Sequence, residues 1–295
     1  MSLVKTSVVR FIRTTIIVLL IVFVILIFAD KSVTSNTAAM DFPEPLKRDG
    51  CLVLTYHRVR DDNFVTKMVE VLTNSDELKN YSIYKSEFEH HMQVLMENNA
   101  TFVTADELRQ FRESGSFHEN CILICFDDVD ESVYENAFPI LQKYQIPFTL
   151  FLIAGHVGNS DFNNLTLANW QQIQEMVDSG LATVGSHTFD MHYLKNDEPV
   201  FFGPGERDNF LNDIIKSKQV IEANLSGVEV VDFAYPFGEG KEELVPLIEK
   251  AGFLSSYILA PRIVCKDNSP YWQNRILVDN EVFKNIVEPW VKTQS

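Results

Sequence analysis

The sequence is short of several features that would define a class. It has four cysteines among 295 residues, Cys51, Cys121, Cys125 and Cys265, and no C-x2-C spacing, so nothing supports a zinc ribbon. On a strand, Cys121 and Cys125 share one face but stand too far apart to join each other. Buried free thiols are therefore expected, with a bridge involving Cys51 or Cys265 left open outside the cytoplasm. Positive charge is also scarce. The 25 Lys and Arg face 41 Asp and Glu, a formal net charge of −16, which argues against nucleic acid or anionic lipid as a partner. A neutral or cationic polymer suits such a surface better, although solubility alone accounts for an acidic balance equally well. No internal repeat is present, and no histidine follows His192.

Long apolar runs are confined to one place. Lys5, Arg10 and Arg13 precede or border the stretch from Thr14 to Ala29, which is almost wholly aliphatic or Phe. Its core, Ile16 to Ala29, is shorter than the roughly 20 residues of a comfortable span. Val8, Val9, Phe11 and Ile12 extend it, with Arg10 and Arg13 able to snorkel. Positive residues before the run and few after it predict an N-in, C-out orientation. No small-residue cleavage site follows directly, Thr37-Ala38-Ala39 being late and weak, and Cys51 is too distant for a lipoprotein. The expectation is a retained transmembrane signal anchor over 1–30, a tether over 31–49 and a globular domain over 50–295. That domain then lies outside the cytoplasm at the cell membrane; a cleaved, secreted form held at the cell surface is the alternative.

The chain as a whole is 46% hydrophobic and 22% charged, a globular rather than a disordered composition. Short apolar runs alternate with helical patterns. Strands are expected at Leu52–Tyr56, Thr101–Val103, Cys121–Phe126, Phe148–Ile153, Thr183–Gly185, Val230–Tyr235 and Ser256–Leu259. Helices are expected at Lys85–Asn98, Ser132–Tyr144, Asn169–Ser179, Phe210–Asn224, Glu242–Ala251 and Val282–Val291, with a further one opened by the capping box from Thr104 to Glu107. Asn196–Asn209 reads as a surface loop. Strands alternating with crossover helices imply a parallel sheet, and about seven such units suit an α/β fold of (β/α) barrel type, a distorted TIM-like barrel, better than an open sheet.

In such barrels chemistry collects at the C-terminal ends of strands. Asp127 and Asp128 end one apolar run, Ser186-His187-Thr188-Phe189-Asp190-Met191-His192 follows another, and Tyr56-His57 and Pro236-Phe237-Gly238 fall at comparable ends. One carboxylate with two imidazoles is a usual ligand set for a catalytic divalent metal with open positions. The second carboxylate can then take a proton from a water. His187 and His192 stand five residues apart, a spacing that diverges on a helix or strand, so a shared ion requires a loop. Asp127 and Asp128 read equally as a turn or a helix-cap pair.

Phe126-Asp127-Asp128, the histidine pair and Tyr235-Pro236-Phe237-Gly238 together resemble the polysaccharide deacetylase family, carbohydrate esterase family 4. Leu54–Arg60, Phe126–Asn136 and Gly155-His156-Val157-Gly158 are similar to its branch acting on β-1,6-linked N-acetylglucosamine polymers in biofilm formation. The likeness runs from about Cys51 to Trp290. It implies an N-deacetylase whose divalent metal, zinc, is held by Asp128, His187 and His192, with Asp127 as general base. The His-x4-His spacing, against the usual His-x3-His, matches the β-1,6 branch. Most of the family places its general-acid histidine late in the chain, and none stands there in this sequence. The resemblance to the β-1,6 branch moves that role to His57, with His156 the rival. His90 and His91 are expected on a solvated helix face and His118 in a polar turn. Ala234 stands where the wider family has an arginine that orients the base, and Arg275 is the candidate to replace it. The Phe237 N–H is a candidate oxyanion donor in that mechanism, and because pyranose rings pack well on aromatics, Tyr235, Phe237, Tyr271 and Trp272 read as sugar-stacking faces or core. Expected partners are an N-acetylglucosamine polymer, the membrane through the N-terminal segment and polysaccharide synthase machinery, with no nucleic acid. Deacetylation of peptidoglycan or chitin-like chains fits the same residues, and a non-catalytic glycan-binding protein is the reading from another class.

Overall fold

The computed structural model describes residues 40–63, 80–163 and 165–293. The apolar run at 14–29 and the first part of the tether lie outside the described residues. Among those described, no helix is long and apolar enough to cross a membrane.

The chain enters through β1 (Cys51–Tyr56), and β2 (Arg58–Arg60) and β3 (Ser82–Tyr84) form a small parallel pair beside it. Then come α1 (Lys85–Glu97), β4 (Thr101–Phe102), α2 (Ala105–Ser114), β5 (Cys121–Asp128), α3 (Phe138–Tyr144), β6 (Phe148–Leu152), α4 (Trp170–Asp178) and β7 (Ala182–Ser186). A hairpin of β8 (Leu194–Lys195) and β9 (Glu198–Pro199) precedes α5 (Arg207–Asn224), β10 (Asp232–Ala234), α6 (Val245–Lys250), β11 (Ser255–Leu259) and β12 (Gln273–Leu277). Parallel pairing runs β1-β12-β11-β10-β7-β6-β5, and β1 pairs with β5 to close the barrel. Seven strands form the ring; β4 only branches onto the start of β5.

Alternation sorts the strand residues into two rows. Cys51 and Val53 of β1, Cys121, Leu123 and Cys125 of β5, Phe151, Ala234 and Tyr257 form the apolar barrel interior. Leu52, Leu54 and Tyr56, with Ile122, Ile124 and Phe126, face the helices instead. Extending the inner rows, from Val53 through Thr55 in β1 and from Cys125 in β5, brings His57 and Asp127 to the barrel mouth. Register confirms it, because Tyr56 pairs with Phe126 and the next residues are His57 and Asp127.

Several local expectations need correction. Cys51 and Cys121 are disulfide-bonded, being register partners in the β1–β5 pair; Cys125 and Cys265 carry the free thiols. His91 is fully buried because it shares the core stripe of α1 with Phe88, Met92 and Leu95. Only His90 is on the solvated face. The helix expected over Ser132–Tyr144 is present, with a π-helical turn, Val133–Ala137, leading into α3. Within the expected loop at 196–209, Val200 and Phe201 are buried and α5 already begins at Arg207. The packed body also starts before Gly50, since Met40, Phe42 and Leu46 rest on the core.

Candidate metal centre

β5 and β7 deliver the central residues. Asp127 ends the inner row of β5 and is 2% exposed. Asp128 would continue the helix-facing row, but the strand breaks there: Asp128 and Val129 both take φ of 61°, and the Val129 N–H donates to the Asp127 carbonyl at 2.6 Å. The turn brings the Asp128 carboxylate to the mouth. His187 is the residue after β7, and Thr188, at φ 79°, bends the chain so that His192 returns to the same point. Left-handed backbone at a β-branched residue is costly, and such strain collects at functional sites.

Asp128, His187 and His192 each place one ligand atom within 4.8 Å of the others. Asp128 Oδ1 lies 3.2 Å from His192 Nε2 and 3.6 Å from His187 Nε2. Their donor chemistry suits a divalent cation. His187 Nδ1 stands 2.8 Å from the Ala234 carbonyl, which can only accept, so Nδ1 carries the proton and Nε2 presents its lone pair. Burial, outweighing the pull of Asp127, pushes the His187 pKa down to about 4, which keeps the ring neutral. Asp128 Oδ1 is buried with no hydrogen-bond partner among the described residues. Burial works against its charge, but His192 and His187 prevail and its pKa is lowered.

Beside this trio, Arg275 from β12 grips Asp127 at both oxygens, Nη1 to Oδ1 at 2.6 Å and Nη2 to Oδ2 at 2.8 Å. Arg275 is 0% exposed and lies over the Phe151 ring. Burial of Asp127 favours the neutral acid; the guanidinium overrides it and holds the pKa down to about 2. His57, half-buried and edge-on to the Tyr81 ring at 4.8 Å, lies near enough that both carboxylates act on it. Burial lowers its pKa, and Asp127 and Asp128 oppose that shift. Ser132 and Asn136 hold its support in place: Val59 N–H donates to Ser132 Oγ, and Asn136 Nδ2 donates to the Val59 carbonyl.

The other sequence candidates divide. Phe237 packs its ring 4.8 Å from that of His192, with φ 61° in the Pro236-Phe237-Gly238 turn. Tyr235 is not at the mouth: alternation puts it with Phe233 on the helix-facing row, 0% exposed, so its ring is core and no stacking surface. Trp272 packs 6.2 Å from it, and Tyr271 also rests against the core. His156 pairs with Asp190 at 2.6 Å, outside the trio. His118 lies edge-on to Phe111. Sequence reasoning missed Asp213 and Ser217 of α5, which touch the loop between the two histidines. Ser217 left a signal: it is a polar residue on a buried stripe otherwise made of Phe210, Ile214 and Ile221.

Known proteins resemble this chain in sequence and in fold. The family described as Polysaccharide deacetylase matches residues 114–255. The poly-beta-1,6-N-acetyl-D-glucosamine N-deacetylase of Staphylococcus aureus is 34% identical over 252 residues, 85% of this chain and 87% of its own. The protein of that name from Staphylococcus epidermidis is 35% identical over 257 residues, 86% and 89% of the two chains. Among solved structures, IcaB from Ammonifex degensii matches with a TM-score of 0.74 and 31% identity, covering 84% of this chain and 100% of that one.

Proposed function

Because the chain belongs to the polysaccharide deacetylase family, we propose that it removes N-acetyl groups from poly-β-1,6-N-acetyl-D-glucosamine, in extracellular polysaccharide and biofilm formation. The observation that carries this reading is the Asp128–His187–His192 trio, with His187 buried, beside a second, arginine-held aspartate at one barrel mouth.

Asp128, His187 and His192 are the residues that would hold a divalent metal, zinc in this reading. When bound, such an ion supplies Lewis acidity, lowering the pKa of a water and polarising the acetamide carbonyl. Asp127 takes the proton of the attacking water as general base, and Arg275 keeps it ionised and oriented for that task. The Phe237 N–H steadies charge growing on the carbonyl oxygen. His57 gives its proton to the amide nitrogen, so that the C–N bond breaks to release acetate and a neutral amine. Its lowered pKa makes it the stronger donor once protonated. Each product unit then takes up a proton from solution and becomes a cation, which an acidic protein tolerates.

The apolar run at 14–29 supports attachment to the membrane near the synthase that supplies the polymer, through an anchor over 1–30. In this reading residues 50–295 form the catalytic domain, with residues 40–49 packed onto it. The Cys51–Cys121 bond supports a position outside the cytoplasm, where disulfides persist. Asp127→Asn tests the role assignment. It is expected to abolish acetate release while metal content, read by elemental analysis, stays at the wild-type level. Acetate release at the wild-type rate refutes the base.

A further inference from the structure

Two metal-ligand candidates separated by four residues of irregular chain can serve one ion only if that chain is held. The residues from Thr188 to Met191 lie in no helix or strand, and Thr188 is in the left-handed region. Left to itself, such a loop would sample many positions for His192 relative to His187, and fixing each residue costs about 1–2 kcal/mol of backbone entropy.

The Ala154 and Gly155 N–H groups hold it on one side by donating to the Thr188 and Phe189 carbonyls, and one helix face holds it on the other. In α5, Asp213, Lys216 and Ser217 stand at i, i+3 and i+4 and so share a face. The Phe189 N–H donates to Asp213 Oδ1 at 2.7 Å and the Asp190 N–H donates to Oδ2 at 2.8 Å. The Asp213 carboxylate thus takes two successive backbone donors, one on each oxygen, midway between the histidines. Lys216 Nζ sits 3.6 Å from the Phe189 ring centroid. Ser217 closes a ring of hydrogen bonds. The Thr188 N–H donates to Ser186 Oγ, Ser186 Oγ and Ser217 Oγ meet at 2.7 Å, and Ser217 Oγ donates back to the Thr188 carbonyl at 3.1 Å. The left-handed Thr188 thus has its N–H on Ser186 Oγ, which Ser217 meets in turn, and its carbonyl shared between Ser217 Oγ and the Ala154 N–H.

We propose that Asp213, backed by Ser217, is a positioning residue that sets the His187–His192 geometry and with it the affinity for the metal. The proposal rests on the metal-dependent reading above. Asp213 bonds neither imidazole, so it acts through the backbone of residues 189 and 190. It also explains how the longer His-x4-His spacing is tolerated, because the extra residue is absorbed by a loop with its own carboxylate brace.

The test is metal affinity, measured on purified protein by competition for zinc with a chromophoric chelator. Asp213→Ala is expected to weaken zinc binding by about 10- to 100-fold, the range seen when groups supporting metal ligands are removed. The melting temperature of the metal-free protein is expected to move by no more than about 4 °C. At saturating zinc, kcat should return toward wild type. Asp213→Asn keeps one acceptor oxygen and should fall between the two; it decides the matter if the alanine variant does not fold. Amide exchange at residues 189 and 190 should quicken in both variants. Wild-type zinc affinity in Asp213→Asn and Asp213→Ala overturns the positioning role alone. A wild-type protein that binds no zinc removes the metal reading itself, so the two failures are distinguishable.

Discussion

Asp127 and Arg275 are the pair on which the proposed chemistry turns, and their electrostatics make a pH-dependent prediction. The aspartate's pKa is lowered from 3.8 to about 2 in the folded protein. The pair therefore contributes stability that is fully present above pH 4 and is lost as pH falls toward 2. Arg275→Met leaves a buried carboxylate without its partner, which costs about 3–5 kcal/mol at neutral pH. It also reverses the sign, because burial now raises the carboxyl pKa above its unfolded value and the variant loses stability as pH rises. Urea unfolding of metal-free wild type and variant between pH 3 and 8 reads the difference directly. A gap that widens with rising pH is expected. Parallel curves would show that Arg275 does not control Asp127.

At the level of elements, the Pro236-Phe237-Gly238 turn shows how backbone geometry places a side chain. Gly238 has φ of +70°, and an added Cβ there would meet Leu259 Cγ at 2.3 Å. Gly227 has a similar φ of +74° but nothing within 4 Å. Gly227→Ala should thus cost only the left-handed penalty of about 1–2 kcal/mol. Gly238→Ala should add about 1–3 kcal/mol of overpacking and displace Phe237 from His192. Chemical denaturation of the two variants compares them, and equal losses would contradict the packing argument. Much of this level was legible in the sequence. The apolar runs of β5, β6 and β7 and the Thr104–Glu107 capping box are found where the pattern puts them, since alternation and capping are local signals. That Asp128, His187 and His192 come together was legible because the Asp pair ends one such run and the histidine segment follows another. Tyr235 was left between stacking face and core, and its alternation with Ala234 decides for the helix-facing row. His91 was misread because a histidine on a helix was given to solvent without tracing the stripe through Phe88 and Leu95. The Cys51–Cys121 bond and the brace from Asp213 depend on pairings between distant segments, which no local pattern carries.

For the whole molecule, the closed barrel explains why residues from β1, β5, β7 and β12 meet although they are scattered from His57 to Arg275. Inner rows of parallel strands all end at one rim, so a polar residue placed at the end of several rows converges on one site. The same architecture would suit N-deacetylation of β-1,6- or of β-1,4-linked chains, and the linkage is the claim most exposed to test. Acetate released from β-1,6-linked poly-N-acetylglucosamine, from chitin oligomers and from peptidoglycan is to be measured for the domain from residue 40 onward, as purified, after chelation and after zinc is restored. The expected result is release from the β-1,6 polymer at least about ten times faster than from either other chain (a difference of about 1.4 kcal/mol in transition-state binding), abolished by chelation and recovered with zinc. Bound zinc with no acetate from any of the three, or release untouched by chelation, would contradict it.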